Sequence, residues 1–199
     1  MMNYQVRSSN GISVAPVDSG LFSKRKLVIE GEINAETAME FIKALMLLVF
    51  ESCITPIDVF INSPGGEINA GLAMYDAMRS CGVKIRTICI GRGYSMGAVL
   101  FAAGTGGRYM LPNSELMIHE PLIAGRLGGS SSTVKSISDS LIETKRKMDR
   151  ILSECTGKTE KEIEEAASYD HYFSAEESIS FGLADGIIGL KALTEVSDK

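Results

Sequence analysis

Ser95 lies in the segment Gly93-Tyr94-Ser95-Met96-Gly97. In a Gly-x-Ser-x-Gly pattern the small flanking residues permit a sharp turn that exposes a serine at the start of a helix. A serine hydroxyl is a weak nucleophile until an adjacent base takes its proton. The chain has 2 histidines, His119 and His171, so the choice of base is narrow. His119 follows the apolar run Leu116-Met117-Ile118 and precedes Glu120-Pro121, which reads as a strand exit where the ring can be held rigidly. His171 adjoins Asp170, but neighbours on a strand point to opposite faces, so adjacency is poor grounds for a contact. His119 is therefore the favoured base and Asp170 its favoured orienter. The alternative makes His171 the base with Asp139 or Asp149 as acid, the serine, acid, histidine order of α/β-hydrolases. Both of those aspartates fall in a charged helical segment that reads as solvated surface.

Attack on a carbonyl creates an oxyanion, which needs hydrogen-bond donors aimed at the new charge. The Met96 amide beside the nucleophile is one candidate. The Gly66 amide, in the turn Asn62-Ser63-Pro64-Gly65-Gly66, is the other, because a glycine lets backbone approach closely.

The elements needed to position these groups are legible. Leu27 to Glu30 reads as a strand, and Asn34 can cap a following helix whose apolar face carries Ala38, Phe41, Leu45 and Leu48. Ile57 to Ile61 is a second strand, and Ile68, Leu72, Tyr75 and Met78 recur at helical spacing after the 62–66 turn. Ile85 to Ile90 leads through the Ser95 turn into the apolar stretch Ala98 to Ala103, repeating the strand, turn, helix order. Shorter strands are expected at Arg108 to Leu111, Leu116 to His119 and Ile187-Ile188. A long, largely exposed helix is expected through Val134, Leu141, Met148 and Cys155. Thr159 and Ser174 each precede a glutamate by three residues, the signature of a capping box. The polar first 20 residues read as a flexible entry.

Composition narrows the function. The 199 residues suit one domain, and a net charge of -5 gives no general attraction to nucleic acid or an anionic membrane. The apolar run from Ala44 to Phe50 is far short of the roughly 20 residues needed to span a bilayer. Cys53, Cys81, Cys89 and Cys155 are dispersed with no metal-ligand spacing, and no secretory signal is evident, so a cytoplasmic protein with no metal is expected.

Four ordered blocks resemble the Clp protease proteolytic subunit family: Asn62-Ser63-Pro64-Gly65-Gly66, Ser95-Met96-Gly97-Ala98, Leu111-Pro112-Asn113-Ser114 with Met117-Ile118-His119-Glu120-Pro121, and Asp170 to Glu177. The resemblance covers nearly the whole chain. It implies an α/β, crotonase-like fold of repeated β-β-α units with a projecting handle helix, in a single domain over 1–199 whose handle region is 122–156. It also implies a serine endopeptidase with Ser95, His119 and Asp170 as triad, Gly66 and Met96 as oxyanion-hole donors, and Ile68 and Leu122 as substrate-binding residues. Family members assemble as heptameric rings, often paired into a tetradecamer, fed with unfolded protein by a hexameric Clp-type ATPase unfoldase. ATP is expected on that partner, since the chain has no Gly-Lys-Ser/Thr phosphate loop. The 125–129 segment resembles a flexible substrate-side entrance. Two departures stand out: Tyr169 replaces an arginine common before the acid, and Glu120 replaces a glutamine common after the histidine. Tyr169, together with an amino-terminal region that lacks a match to the family's usual axial-pore segment, motivates the alternative of a catalytically weak scaffold or regulatory ring subunit.

Overall fold

Runs of β-branched residues that end in glycine-bearing turns, each followed by a helical repeat, build the centre of the molecule. The computed structural model describes residues 2–8, 11–123 and 128–193. After a hairpin of β1 (Asn3–Ser8) and β2 (Gly11–Pro16) and a short helix α1 (Val17–Phe22), the chain alternates strand and helix: β3 (Lys26–Ile33), α2 (Ala35–Glu51), β4 (Ile57–Gly66), α3 (Ile68–Ser80), β5 (Ile85–Tyr94) and α4 (Met96–Ala102). Then come β6 (Arg108–Met110), β7 (Glu115–Ile118), the 26-residue α5 (Ser131–Thr156), α6 (Glu160–Ala166), β8 (His171–Phe173), α7 (Ala175–Phe181) and β9 (Gly186–Ile187).

The main sheet has the order β3-β4-β5-β6-β9, all neighbours parallel. Parallel strands covered on both faces read as continuous apolar runs. Val59 and Ile61 accordingly join the helix-side core, while Phe60 and Ile88 form a second buried cluster with Ile90 and Ile188. The expected β-β-α units arise because the strands bend. The β3–β4 register shifts between Glu30 and Glu32, and the β4–β5 register shifts between Ile61 and Ser63. β5 pairs with β6 through Cys89, then with β7 from Arg92 onward. Each strand thus supplies one segment to the main sheet and one to a second layer before its helix starts.

Helix ends follow the residues that cap them. Asn34 accepts from the Glu36 and Thr37 amides at 3.0 Å each, and the Thr37 hydroxyl accepts from the Asn34 amide. Thr159 and Ser174 form the expected capping boxes with Glu162 and Glu177. Such caps are worth about 1 kcal/mol each. Only Met148, Asp149 and Leu152 of α5 are buried, so its amino-terminal half stands away from the core. Within 122–156, where a handle is expected, the helix starts at Ser131, and the 125–129 entrance falls largely outside the described residues.

The amino terminus differs from its reading as a flexible segment over residues 1–20. β1 and β2 pair antiparallel from Asn3↔Pro16 to Ser8↔Gly11. Tyr4 and Val6, and Ile12 and Val14, alternate with polar residues at the strand period of two, a pattern the overall polarity hides. Asn10-Gly11 is moreover a hairpin dipeptide in sequence.

A charged ladder crosses three adjacent strands. Lys26, Asp58 and Arg86 are register partners on β3, β4 and β5. Asp58 accepts from Lys26 at 3.0 Å and from Arg86 through two bonds of 2.8 Å. Burial pushes the Asp58 carboxyl up, but the hydrogen bonds from Arg86 and Lys26 outweigh it and hold the group below its ordinary value. A depressed carboxylate contributes stability that is complete above the unfolded value of about 3.9 and is lost as pH falls through the folded one. Asp58→Asn is therefore expected to lower stability at pH 7 by about 1 kcal/mol, with the difference from the parent shrinking progressively as pH is taken below the unfolded carboxylate value of about 3.9. Chemical denaturation across that pH range checks this.

Candidate active site

β7 lies parallel beside the end of β5, with Gly93↔Leu116 and Tyr94↔Met117 in register. Ser95 continues this contact by donating its amide to the Met117 carbonyl at 2.8 Å. The backbone then reverses sharply: Ser95 has φ 53° and ψ -120°, a left-handed φ that a residue with a Cβ adopts at a cost of order 1–3 kcal/mol. Its carbonyl accepts from the Ala98 and Val99 amides, so α4 starts at Met96 and the Ser95 hydroxyl stands at the junction.

His119 is the first residue beyond β7, and its Nε2 lies 2.9 Å from Ser95 Oγ. β8 pairs antiparallel with β7 through Leu116↔Phe173, Met117↔Tyr172 and Ile118↔His171. One step further along that register His119 faces Asp170, and its Nδ1 lies 3.2 Å from Asp170 Oδ1. The three sequence-predicted residues are thus brought into one chain of polar contacts. With Nδ1–H toward Asp170, the Nε2 lone pair is free to accept the serine proton. His171 points to the opposite face, as strand alternation requires. It stacks between Tyr169 and Phe173, with ring centroids 5.3 and 4.1 Å away, and its Nδ1 lies 3.2 Å from the Ala166 carbonyl. Glu120 is exposed, and its amide donates to the Ala167 carbonyl at 2.8 Å, fixing the chain beyond His119.

The β4–α3 turn packs directly on this junction. Gly65 has φ +95°, and a Cβ there would sit 2.8 Å from Ser95 Cβ and 3.2 Å from the Met96 nitrogen. Gly66 has φ +152°, and a Cβ there would fall 2.0 Å from the Ile33 carbonyl oxygen. Only glycine satisfies both the backbone angle and the packing at these positions. The Met96 amide occupies the first helical position of α4, where the helix itself offers no acceptor. The buried Ser63 fastens the turn: its hydroxyl donates to the Gly31 carbonyl at 2.6 Å and accepts the Gly65 amide at 3.0 Å.

Beside Ser95 and His119 lies a narrow cavity of about 30 Å³, walled by Ile68, Met96, Val99, Met148 and Leu152. Ile68 is therefore at the site. Leu122 is not among the lining residues: the chain turns outward after Pro121, leaving Leu122 68% exposed. Asp149, expected as solvated surface, is 7% exposed and lines the cavity. The signal was its place beside Met148 and three residues before Leu152, on the apolar stripe of α5. A larger hollow of about 790 Å³ lies elsewhere, between α1, β3 and α2, with none of the Ser95, His119 and Asp170 side chains on it. Among the described residues no His, Cys, Asp or Glu group is arranged to hold a metal ion, and no helix is long and apolar enough to cross a membrane.

The family model for Clp protease matches residues 9–191. The chain belongs to the Clp protease family. Similar relatives include ATP-dependent Clp protease proteolytic subunit 2 of Chlamydia trachomatis serovar D, 39% identical over 193 residues, covering 96% of this chain and 93% of the relative. Proteolytic subunit 1 of Chlamydia felis is 39% identical over 192 residues, covering 96% and 94%. Proteolytic subunit 2 of Chlamydia pneumoniae is 40% identical over 182 residues, covering 91% and 89%. The α/β architecture with its bent parallel strands agrees with membership of the Clp protease family.

Loss of the Ser63 hydroxyl would strand the buried Gly65 amide and remove the bond to the Gly31 carbonyl at this Clp-type turn. Ser63→Ala is expected to cost about 1–3 kcal/mol of stability, measurable as a shift of the denaturation midpoint with an unchanged slope.

Proposed function

We propose that the chain, one domain over residues 1–199, is the serine endopeptidase subunit of an ATP-dependent, compartmentalised Clp-type protease. The observation that carries this reading is the contact sequence from Ser95 Oγ to His119 Nε2 at 2.9 Å and from His119 Nδ1 to Asp170 Oδ1 at 3.2 Å. Ser95 attacks the scissile carbonyl while His119 accepts its proton, and Asp170 holds the imidazole in the tautomer that leaves Nε2 free. The amides of Gly66 and Met96 donate to the oxyanion, each such donor being worth about 10²–10³ in turnover. His119 then protonates the departing amine, and a water activated by the same ring releases the acyl group from Ser95.

Ile68 lies in the cavity beside the nucleophile and is proposed to contact substrate; Leu122, on the exposed loop, would do so only in extended contacts outside that cavity. The relatives' names, as proteolytic subunits of an ATP-dependent protease, support a ring-forming subunit working with a Clp-type ATPase that carries the ATP. The projecting part of α5 is the surface suited to ring-to-ring contact, and the cytoplasm is the proposed location. The alternative of a catalytically weak ring subunit is favoured by Asp170, whose side chain is 59% exposed and so competes with water for His119.

Hydrolysis of small fluorogenic peptides by the purified protein separates these readings. Ser95→Ala and His119→Ala are each expected to lower turnover by about 10⁴-fold or more, and an active-serine probe is expected to label Ser95 in the parent. Equal hydrolysis by parent and Ser95→Ala would sink the Ser95 assignment. Native mass measurement tests the ring, and a strict monomer in the presence of candidate ATPases would exclude the chamber.

A further inference from the structure

Apart from Ser95 and His119 themselves, the cavity beside them is lined by apolar side chains except at Asp149, and a carboxylate nine-tenths buried there needs a reason. Asp149 Oδ2 accepts from Lys145 Nζ at 3.0 Å, and Lys145 also donates to Glu164 at 2.9 Å. One cation is thereby shared between two carboxylates, with Glu160 close enough to add to the negative field. Among the described residues Asp149 Oδ1 has no hydrogen-bond partner, yet it is not a fully buried unsatisfied atom, so it keeps some exposure on a residue that lines the cavity. Burial pushes the Asp149 carboxyl above its ordinary range, and the Lys145 bond does not fully offset this. The carboxylate therefore has electrostatic capacity for a further cation.

We propose that Asp149 is a specificity-determining residue that lets this cleft accept a basic side chain, lysine or arginine, on the residue whose carbonyl Ser95 attacks. The walls supplied by Ile68, Val99 and Leu152 suit the methylene stem, and Asp149 meets the charged tip. The free volume of about 30 Å³ is no larger than a water requires, so entry needs a wall to yield. Met96 and Met148 are the walls able to do so, being unbranched with three rotatable bonds. The attacked residue stays bound to Ser95 through the acyl stage, which makes its side chain the one this cleft sorts.

The proposal rests on Ser95 as nucleophile, and the experiment keeps the two apart. Matched fluorogenic peptides differing only in lysine or leucine at the attacked residue are compared by kcat/KM in the parent, Asp149→Asn and Lys145→Gln. Asp149→Asn is expected to lower the lysine-to-leucine ratio about tenfold. Lys145→Gln, which removes the competing cation, is expected to raise it. An unchanged ratio in Asp149→Asn, with Ser95 still labelled by an active-serine probe, overturns the proposal. A Lys145→Gln ratio that falls does the same. Absence of Ser95 labelling and of hydrolysis in the parent would overturn the peptidase reading itself.

Discussion

The parallel contact between the end of β5 and β7, closed by the Ser95 amide on the Met117 carbonyl, is the constraint on which the site depends. β5 spends its first half on β6 and its last three residues on β7, so one strand belongs to two layers. That division carries Ser95 out of the main sheet and lays it beside the residue that follows β7. The antiparallel addition of β8 then sets Asp170 opposite His119 by register alone. Three side chains separated widely in sequence meet because three short backbone pairings meet.

Backbone that can pair so tightly needs residues without bulk at the crossing. Gly65 sits against Ser95 and Met96, and Gly97 against Ser63, so the two strand-to-helix junctions are packed main chain on main chain. The strained backbone at Ser95 is held from both sides, by Met117 before the turn and by the first α4 bonds after it. Both candidate oxyanion donors belong to these junctions, which makes the turn geometry and the chemistry one problem.

Much of this is legible in the sequence. Asn34, Thr159 and Ser174 marked helix starts because a cap is a local matter of one side chain and two amides. The Gly-x-Ser-x-Gly turn and the scarcity of histidine pointed to Ser95 and His119, and strand alternation separated Asp170 from His171. What escaped depended on tertiary placement or faint periodicity. The strand bends at 31 and 62 leave only shifts of register, that at 91 only a change of partner strand, and the hairpin at the amino terminus is hidden by polar composition. Asp149 looked like surface because its neighbours in sequence are charged, whereas its neighbours in space are Leu152, Met148 and the serine junction. Leu122 shows the converse: an apolar residue near the histidine in sequence is carried outward by the loop and away from the cavity lining.

α5 combines two kinds of selection in one rod. Near its carboxy-terminal end, Met148, Asp149 and Leu152 are buried and also line the cavity beside Ser95, so substitutions there change the packing of both. From residue 131 to 147 none of its side chains is buried. Lys145, bonded to Asp149 and Glu164, ties the end of that half to the fold, and ahead of it drift meets little opposition from the chain's own folding energy.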